Sequence, residues 1–215
     1  MLGAAFSVRT DAVSELYNMD CVEGMKHYPD NYFDLAICDP PYGINVNMNL
    51  GRRKGKRKKH IDKKWDNETP NDEYFLELWR VSKNRIIWGG NYFDLPPTKC
   101  FFIWDKAGSM YGRSFAECEY AWTSFNMSAR MFKMCPNQLD RIHPTQKPIR
   151  LYNEILSKFA EKGQRILDTH VGSGSSRISC YLNGFDFVGF EIDKQYCEAS
   201  EKRFVNAISQ QRLAF

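Results

Sequence analysis

Four consecutive residues, Asp39-Pro40-Pro41-Tyr42, carry the most specific chemical signal in this 215-residue chain. An amino group attached to a purine or pyrimidine ring is a poor nucleophile, because its lone pair is delocalised into the ring. Making it react means drawing the nitrogen toward tetrahedral geometry, which two hydrogen-bond acceptors beside its N–H bonds would do. The Asp39 carboxylate supplies one acceptor and the Pro40 backbone carbonyl the other. Proline stiffens the backbone here and brings no N–H of its own. A tyrosine ring directly beyond suits stacking on a base, an interaction worth about 1–3 kcal/mol per base. The plainer alternative is a strand-to-loop turn in which Asp-Pro-Pro is only a stop signal. Phe33-Asp34-Leu35-Ala36-Ile37-Cys38 reads as a half-buried strand running straight into the motif, and this placement favours the functional reading.

A second set lies near the other end of the chain. Asp168-Thr169-His170-Val171-Gly172-Ser173-Gly174-Ser175 follows a predicted strand and opens a predicted helix. Glycines there let the backbone turn sharply and approach a ligand. Taken alone, Gly-x-Gly fits a plain turn equally well. Glu191 adds weight: it ends the next predicted strand, about 20 residues on, where a ribose diol would be held. A third string, His143-Pro144-Thr145-Gln146-Lys147-Pro148, frames a helix start. Its hydroxyl and ammonium near a helix N-terminus suit an anion.

The elements that must position these residues alternate between strand and helix, which predicts an α/β fold with a mostly parallel sheet, one antiparallel strand and helices on both faces. Strands are expected at Glu15–Met19, Phe33–Cys38, Arg85–Trp88, Cys100–Trp104, Glu119–Phe125, Gln164–Leu167 and Phe187–Phe190. Helices are expected at Cys21–Tyr28, from about Asn71 through Val81, at Pro148–Ala160 and Ser175–Leu182, and through Tyr196 to about Ile208. Tyr74, Leu78 and Val81 share one helical face, as do Leu151, Ile155 and Phe159. The length suits a single domain, residues 1–215. No apolar run is long enough for a membrane helix, and the first ten residues lack a signal-peptide layout. Residues 1–14 carry no readable signal.

Charge is unevenly placed. Between Gly51 and Lys64 stand nine basic residues (Arg52, Arg53, Lys54, Lys56, Arg57, Lys58, Lys59, Lys63 and Lys64) against one acid, Asp62, although the whole chain carries only +4. A charge run is often just a solvated face. This one, within the loop 44–64, leaves the Asp39–Tyr42 motif directly, which points instead to a flexible arm neutralising phosphates. Trp65, just beyond, fits a wedge or a core anchor. The seven cysteines are scattered with no C-x-x-C pair. This argues against a disulfide framework and a zinc site, suits a reducing cytosol, and predicts that all seven are small buried hydrophobes.

Asp39-Pro40-Pro41-Tyr42 resembles the catalytic motif of the DNA amino-methyltransferases, which use it mostly on adenine N6, whereas members acting on cytosine N4 more often begin it with Ser. Residues 168–175 are similar to that family's loop for S-adenosylmethionine, Asp-Pro-Phe-x-Gly-Ser-Gly-Thr, with departures at Thr169, His170 and Ser175. The resemblance implies that Asp168, His170, Gly172, Ser173, Gly174 and Ser175 line the cofactor site with Glu191. It also implies that Thr145 and Lys147 hold the methionine carboxylate. Asp20, with Cys21 beside it, is similar in position to the acid that reads the cofactor's adenine amine. The order resembles the permuted branch of the family, with the methyl-transfer half first. No stretch is large enough for a separate recognition module, and the resemblance implies double-stranded DNA as partner, a homodimer as an option, and no metal.

The resulting expectation is methyl transfer to adenine N6 in a base flipped out of the duplex. Cytosine N4 or adenine in RNA would use the same groups. A catalytically silent DNA-binding module would keep only the fold, and an oxidoreductase would leave Asp39–Tyr42 unexplained.

Overall fold

The computed structural model describes residues 12–44 and 68–212, apart from 109, 113–115, 137, 139 and 144. The basic run, Trp65, Pro144 and the first eleven residues lie outside the described residues. In chain order the elements are β1 (Ser14–Tyr17), α1 (Cys21–Met25), β2 (Phe33–Cys38), α2 (Asp72–Val81), β3 (Ser82–Trp88), β4 (Phe101–Asp105) and β5 (Cys118–Thr123). After these come β6 (Arg130–Lys133), α3 (Ile149–Phe159), β7 (Arg165–Asp168), α4 (Ser175–Leu182), β8 (Asp186–Phe190) and α5 (Lys194–Arg212).

The eight strands form one sheet in the order β1-β8-β7-β2-β3-β5-β4-β6. All pairings are parallel except the two that β5 makes, with β3 and β4. The expected α/β sheet with one antiparallel strand is therefore present. An added strand, β6, escapes the sequence reading because it is a four-residue edge strand whose only buried side chain is Phe132.

Alternation of side chains along the central strands builds two cores. Leu35 and Ile37 of β2, Ile86 and Trp88 of β3 and Ile166 of β7 face Leu151, Ile155 and Leu156 of α3 and Cys180 of α4. Ala36 and Cys38, Ile87, and Leu167 face the opposite way, against Met25 of α1 and Tyr74, Leu78 and Val81 of α2. Each fully buried large apolar side chain stabilises the fold by about 1.5–3 kcal/mol. The α2 face predicted from spacing is the buried one, and Asn71 caps that helix by accepting from the Tyr74 N–H at 3.0 Å.

The expectation for the cysteines holds in part. Cys38, Cys100 and Cys180 are buried and Cys21 and Cys197 half-buried, but Cys118 and Cys135 are exposed. Cys118 sits at the open first position of β5, before that strand's burial begins. Among the described residues, no helix is long and apolar enough to cross a membrane.

What positions a site is the split in direction at the centre of the sheet. From β7 the chain passes through α4 to β8 on one side, whereas from β2 it passes through α2 to β3 on the other. Open α/β sheets bind ligands in the crevice beyond the strand ends at such a switch point. β7 ends at Asp168, and Asp39 follows β2.

Candidate active site

Two clusters flank this crevice. The first gathers around Asp39. Its Oδ1 accepts from the Tyr42 hydroxyl at 2.5 Å, and its Oδ2 accepts from the Lys147 ammonium. Lys147 is buried at 3% exposure and also pairs with Glu119 of β5 at 3.1 Å, with its Nζ 5.0 Å from the centre of the Trp88 ring. Glu119 in turn meets Lys106 at 2.9 Å. Burial disfavours the Lys147 ammonium, but Asp39 and Glu119 outweigh it and hold the group above the usual lysine range. Burial likewise pushes the Glu119 carboxyl up, and Lys147 and Lys106 more than reverse that. Burial, and then the Asp39 charge, raise the Tyr42 phenol well above its ordinary value.

The Tyr42 ring stacks on Tyr92, with centroids 4.9 Å apart and planes 13° from parallel. Its seat is Gly89, held at φ +68. A Cβ built on Gly89 would lie within 2.5 Å of ring carbons Cδ1 and Cζ and closer still to Cε1 between them. Only a point above the ring plane satisfies those distances, so the glycine backbone packs on the ring face. Pro40 is buried and Pro41 half-buried beside it.

The second cluster is built on the turn between β7 and α4. Gly172 and Gly174 take φ +52 and +75, a left-handed backbone that favours glycine, and Gly174 is the N-cap of α4. Glu191, just past β8, accepts from the Gly172 N–H at 2.8 Å and through its other oxygen from the Asp193 N–H at 2.8 Å. Asp168 accepts from the His170 N–H at 3.0 Å and the Ser176 hydroxyl at 2.5 Å. Thr169 bridges the Tyr74 hydroxyl and the His170 ring, each at 2.9 Å. The polar ring of His170 is thereby accommodated, edge-on to Tyr74. Asp20 caps α1, accepting from the Val22 and Glu23 N–H groups at 2.8 and 3.1 Å, with half-buried Cys21 next to it. Burial pushes the Cys21 thiol up to about 12.

Several predicted residues sit differently from a simple lining. The Ser173 and Ser175 hydroxyls meet each other at 3.2 Å and turn toward Arg203 of α5, whose Nη1 donates to the Ser173 carbonyl and the Ser175 hydroxyl, both at 2.9 Å. Both side chains are therefore buried in a clamp on the turn. Thr145 contacts the His143 ring at 3.1 Å, and that ring lies over Gly172 and against Tyr196. Lys147, two residues on, reaches the Asp39 cluster instead. No motif in the sequence marks Glu119, Tyr92 or Arg203, and none assigns a role to His143. Of the four, His143 alone carries a local signal, as the first residue of His143–Pro148.

Arg203 also donates to Asp140 at 2.6 Å, so it joins α5, the glycine turn and the segment before α3. Arg203→Ala is expected to destabilise the protein by about 2–4 kcal/mol, because it strips a buried carbonyl and hydroxyl of their donor. Urea unfolding reads this directly; a loss under 1 kcal/mol would contradict the clamp.

The turn also sets a pH response. Burial pushes Asp168 up from 3.8 to about 7 and His170 down from 6.5 to about 4. Between about pH 4 and 7 folded Asp168 keeps a proton that the unfolded chain has lost, so its contribution to stability falls as pH rises. Between about pH 4 and 6.5 unfolded His170 holds a proton that the folded protein lacks, so its contribution rises. The two slopes oppose each other at up to about 1.4 kcal/mol per pH unit apiece. Asp168→Asn is expected to uncover a stability that climbs from pH 4 to 6.5, and His170→Asn one that declines, in denaturation series across that range.

The DNA methylase family model for N6/N4 methyltransferases matches residues 47–202. The match begins just after Asp39–Tyr42. M.HinfI, a type II methyltransferase of Haemophilus influenzae, is 24% identical over 247 residues, covering 90% of this chain and 68% of that protein. The crystal structure of the M1.HpyAVI–SAM complex superposes with a TM-score of 0.60 at 19% identity, covering 88% of this chain and 98% of that one. The cytosine-N4-specific PvuII DNA methyltransferase superposes at 0.57 and 13% identity, covering 96% of each chain. These neighbours share the fold, and the family model spans most of the sequence: the chain belongs to the DNA methylase family of N6/N4 methyltransferases.

Proposed function

We propose that this protein transfers a methyl group from S-adenosylmethionine to the exocyclic N6 of adenine in double-stranded DNA, with the target base flipped out of the helix. The observation that carries this reading is the carboxylate of Asp39 at the switch point beside the glycine turn, with Tyr42 bonded to it. Adenine rather than cytosine rests on the motif's first residue being Asp.

The groups present fit the cofactor. The left-handed turn at Gly172 presents bare backbone, and a Cβ there would touch the His143 ring at 3.8 Å. Glu191 offers a carboxylate for ribose hydroxyls beside that turn, and Asp20 an acceptor for an adenine amine. An ammonium has three donors; Lys147 gives two of them to Asp39 and Glu119, and this reading assigns the third to the methionine carboxylate. When bound, S-adenosylmethionine supplies an electrophilic methyl on a sulfonium.

The protein's work is then positioning and electrostatics. Flipping the base costs a few kcal/mol, offset by contacts in the pocket. Tyr42 packs against the base, while Asp39 and the Pro40 carbonyl accept from its N6 hydrogens and aim the nitrogen lone pair at the methyl group. Bound there, the sulfonium would supply the methyl and leave as a neutral thioether, and the surplus proton of the amine would pass to solvent. The nine basic residues between 52 and 64 supply phosphate contacts without reading sequence.

Incubating the protein with unmethylated duplex DNA and methyl-labelled S-adenosylmethionine, then identifying the labelled nucleoside, tests this. Label in N6-methyladenine supports it. Label on cytosine N4 keeps the chemistry and overturns the base, and transfer to RNA alone overturns the substrate.

A further inference from the structure

We propose that Glu119 is a positioning residue, the standby counter-ion that lets Lys147 release Asp39 to the substrate. The proposal rests on the methyltransferase reading of the site. An incoming amine competes with Lys147 for the Asp39 carboxylate, whose Oδ2 accepts from that ammonium. Lys147 is almost wholly removed from water, and a buried charge stripped of its partner is strongly disfavoured. Glu119 resolves the conflict by geometry: it lies 3.1 Å from the same ammonium and comes from the antiparallel strand β5, which β3 separates from the motif's own strand. Lys106 holds Glu119 at 2.9 Å and so keeps it ionised and in place. The row Lys106–Glu119–Lys147–Asp39 alternates in sign, and Asp39 is the member this reading places on the target amine. The face of the Trp88 ring under the ammonium gives Lys147 a fixed platform through the exchange. Nothing in the local sequence marks Glu119, the one charged residue of its strand.

The groups that act on this row are Asp39, Glu119, Lys106, Tyr42, Tyr152 of α3, Arg141 and, through Asp39, Asp168 at the end of β7. Among these, Asp39 and Glu119 are the two that bond Lys147. Two measurements follow. In protein carrying 13C-labelled lysine, the Lys147 titration is read by NMR in Asp39→Ala, which imitates an Asp39 already surrendered. Lys147 is expected to remain charged well into alkaline pH there, and to lose its proton about 1–3 pH units lower once Glu119→Gln is added. Equal titration in the single and double variants would overturn the proposal.

The second measurement is the kcat of Glu119→Gln at saturating cofactor and DNA. With Glu119 neutralised, Asp39 is the one protein carboxylate left on Lys147, which holds it more tightly. The kcat is therefore expected to fall at neutral pH and to recover in part as pH rises and Lys147 deprotonates, while the KM for the cofactor rises over the same range, a step absent from the parent profile. Glu119→Asp, which keeps the charge, is expected to retain most of the rate. A uniform loss parallel to the parent at every pH would mean that Glu119 only supports the fold. If the parent protein methylates neither DNA nor RNA while the NMR result holds, the counter-ion pair stands and the functional reading falls.

Discussion

Asp39→Ala is expected to lower methyl transfer by on the order of 10²–10³-fold or more, with the protein folded and S-adenosylmethionine still bound. The magnitude follows from removing one preorganised acceptor from the reacting group. Survival of the fold follows from the neighbours: Lys147 keeps Glu119 at 3.1 Å, and Tyr42 keeps its packing on Gly89 and Tyr92. The cofactor cluster is tied together by its own bonds, from Glu191 to the Gly172 N–H and from Arg203 to the turn, none of which involves Asp39. Calorimetry with the cofactor is therefore expected to give nearly the parent affinity. Full transfer activity in this variant would remove the catalytic assignment. Loss of cofactor binding together with activity would instead join the two clusters more closely than their bonds indicate.

The second large effect is expected at Gly89, which makes no chemical contribution of its own. Gly89→Ala forces an alanine into φ +68, at about 1–2 kcal/mol, and places its methyl over the face of the Tyr42 ring. Overpacking of this kind typically adds about 1–3 kcal/mol. Together they imply a destabilisation of about 2–5 kcal/mol. The ring has to slide, and its hydroxyl then no longer holds Asp39 Oδ1. Displacing the motif by about 1 Å is enough to lower transfer on the order of 10²-fold. Thermal unfolding and initial rates on the same preparation check both parts. A stable variant with the parent rate would show that Tyr42 needs no fixed seat.

The Asp39–Tyr42 motif and its strand were legible because both are local. A buried strand and the turn that ends it occupy ten consecutive residues, and β2 has the predicted bounds Phe33–Cys38. The Ser175–Leu182 helix is just as local: a glycine turn starts it and Asn183-Gly184 follows it. Less visible was anything fixed by pairing across the sheet. β3 begins three residues before the predicted Arg85, because Ser82 lies opposite Phe33 across the ladder and its own sequence gives no strand signal. The local sequence marks Lys147 as an anion holder near a helix start. Its partner Asp39 is 108 residues away, and no local pattern joins them. Ser173 and Ser175 resemble ligand-facing residues for the same reason, until α5 brings Arg203 against them. The basic run was the plainest compositional signal of all and falls outside the described residues.

The seam between β2 and β7 has a consequence for how such a chain can grow. Leu35 pairs with Ile166, and the Asp34 carboxylate accepts from the Arg165 N–H across 131 positions of sequence. The entropy of closing so long a loop rises only with the logarithm of its length, so doubling the intervening chain adds about 0.6 kcal/mol. Both halves of the crevice meet at this one junction, and the segment between its strands reaches the surface at several turns. Whole reading modules inserted at those turns would therefore cost the junction almost nothing, and a common scaffold would acquire new target sequences by lengthening while its chemistry stays fixed.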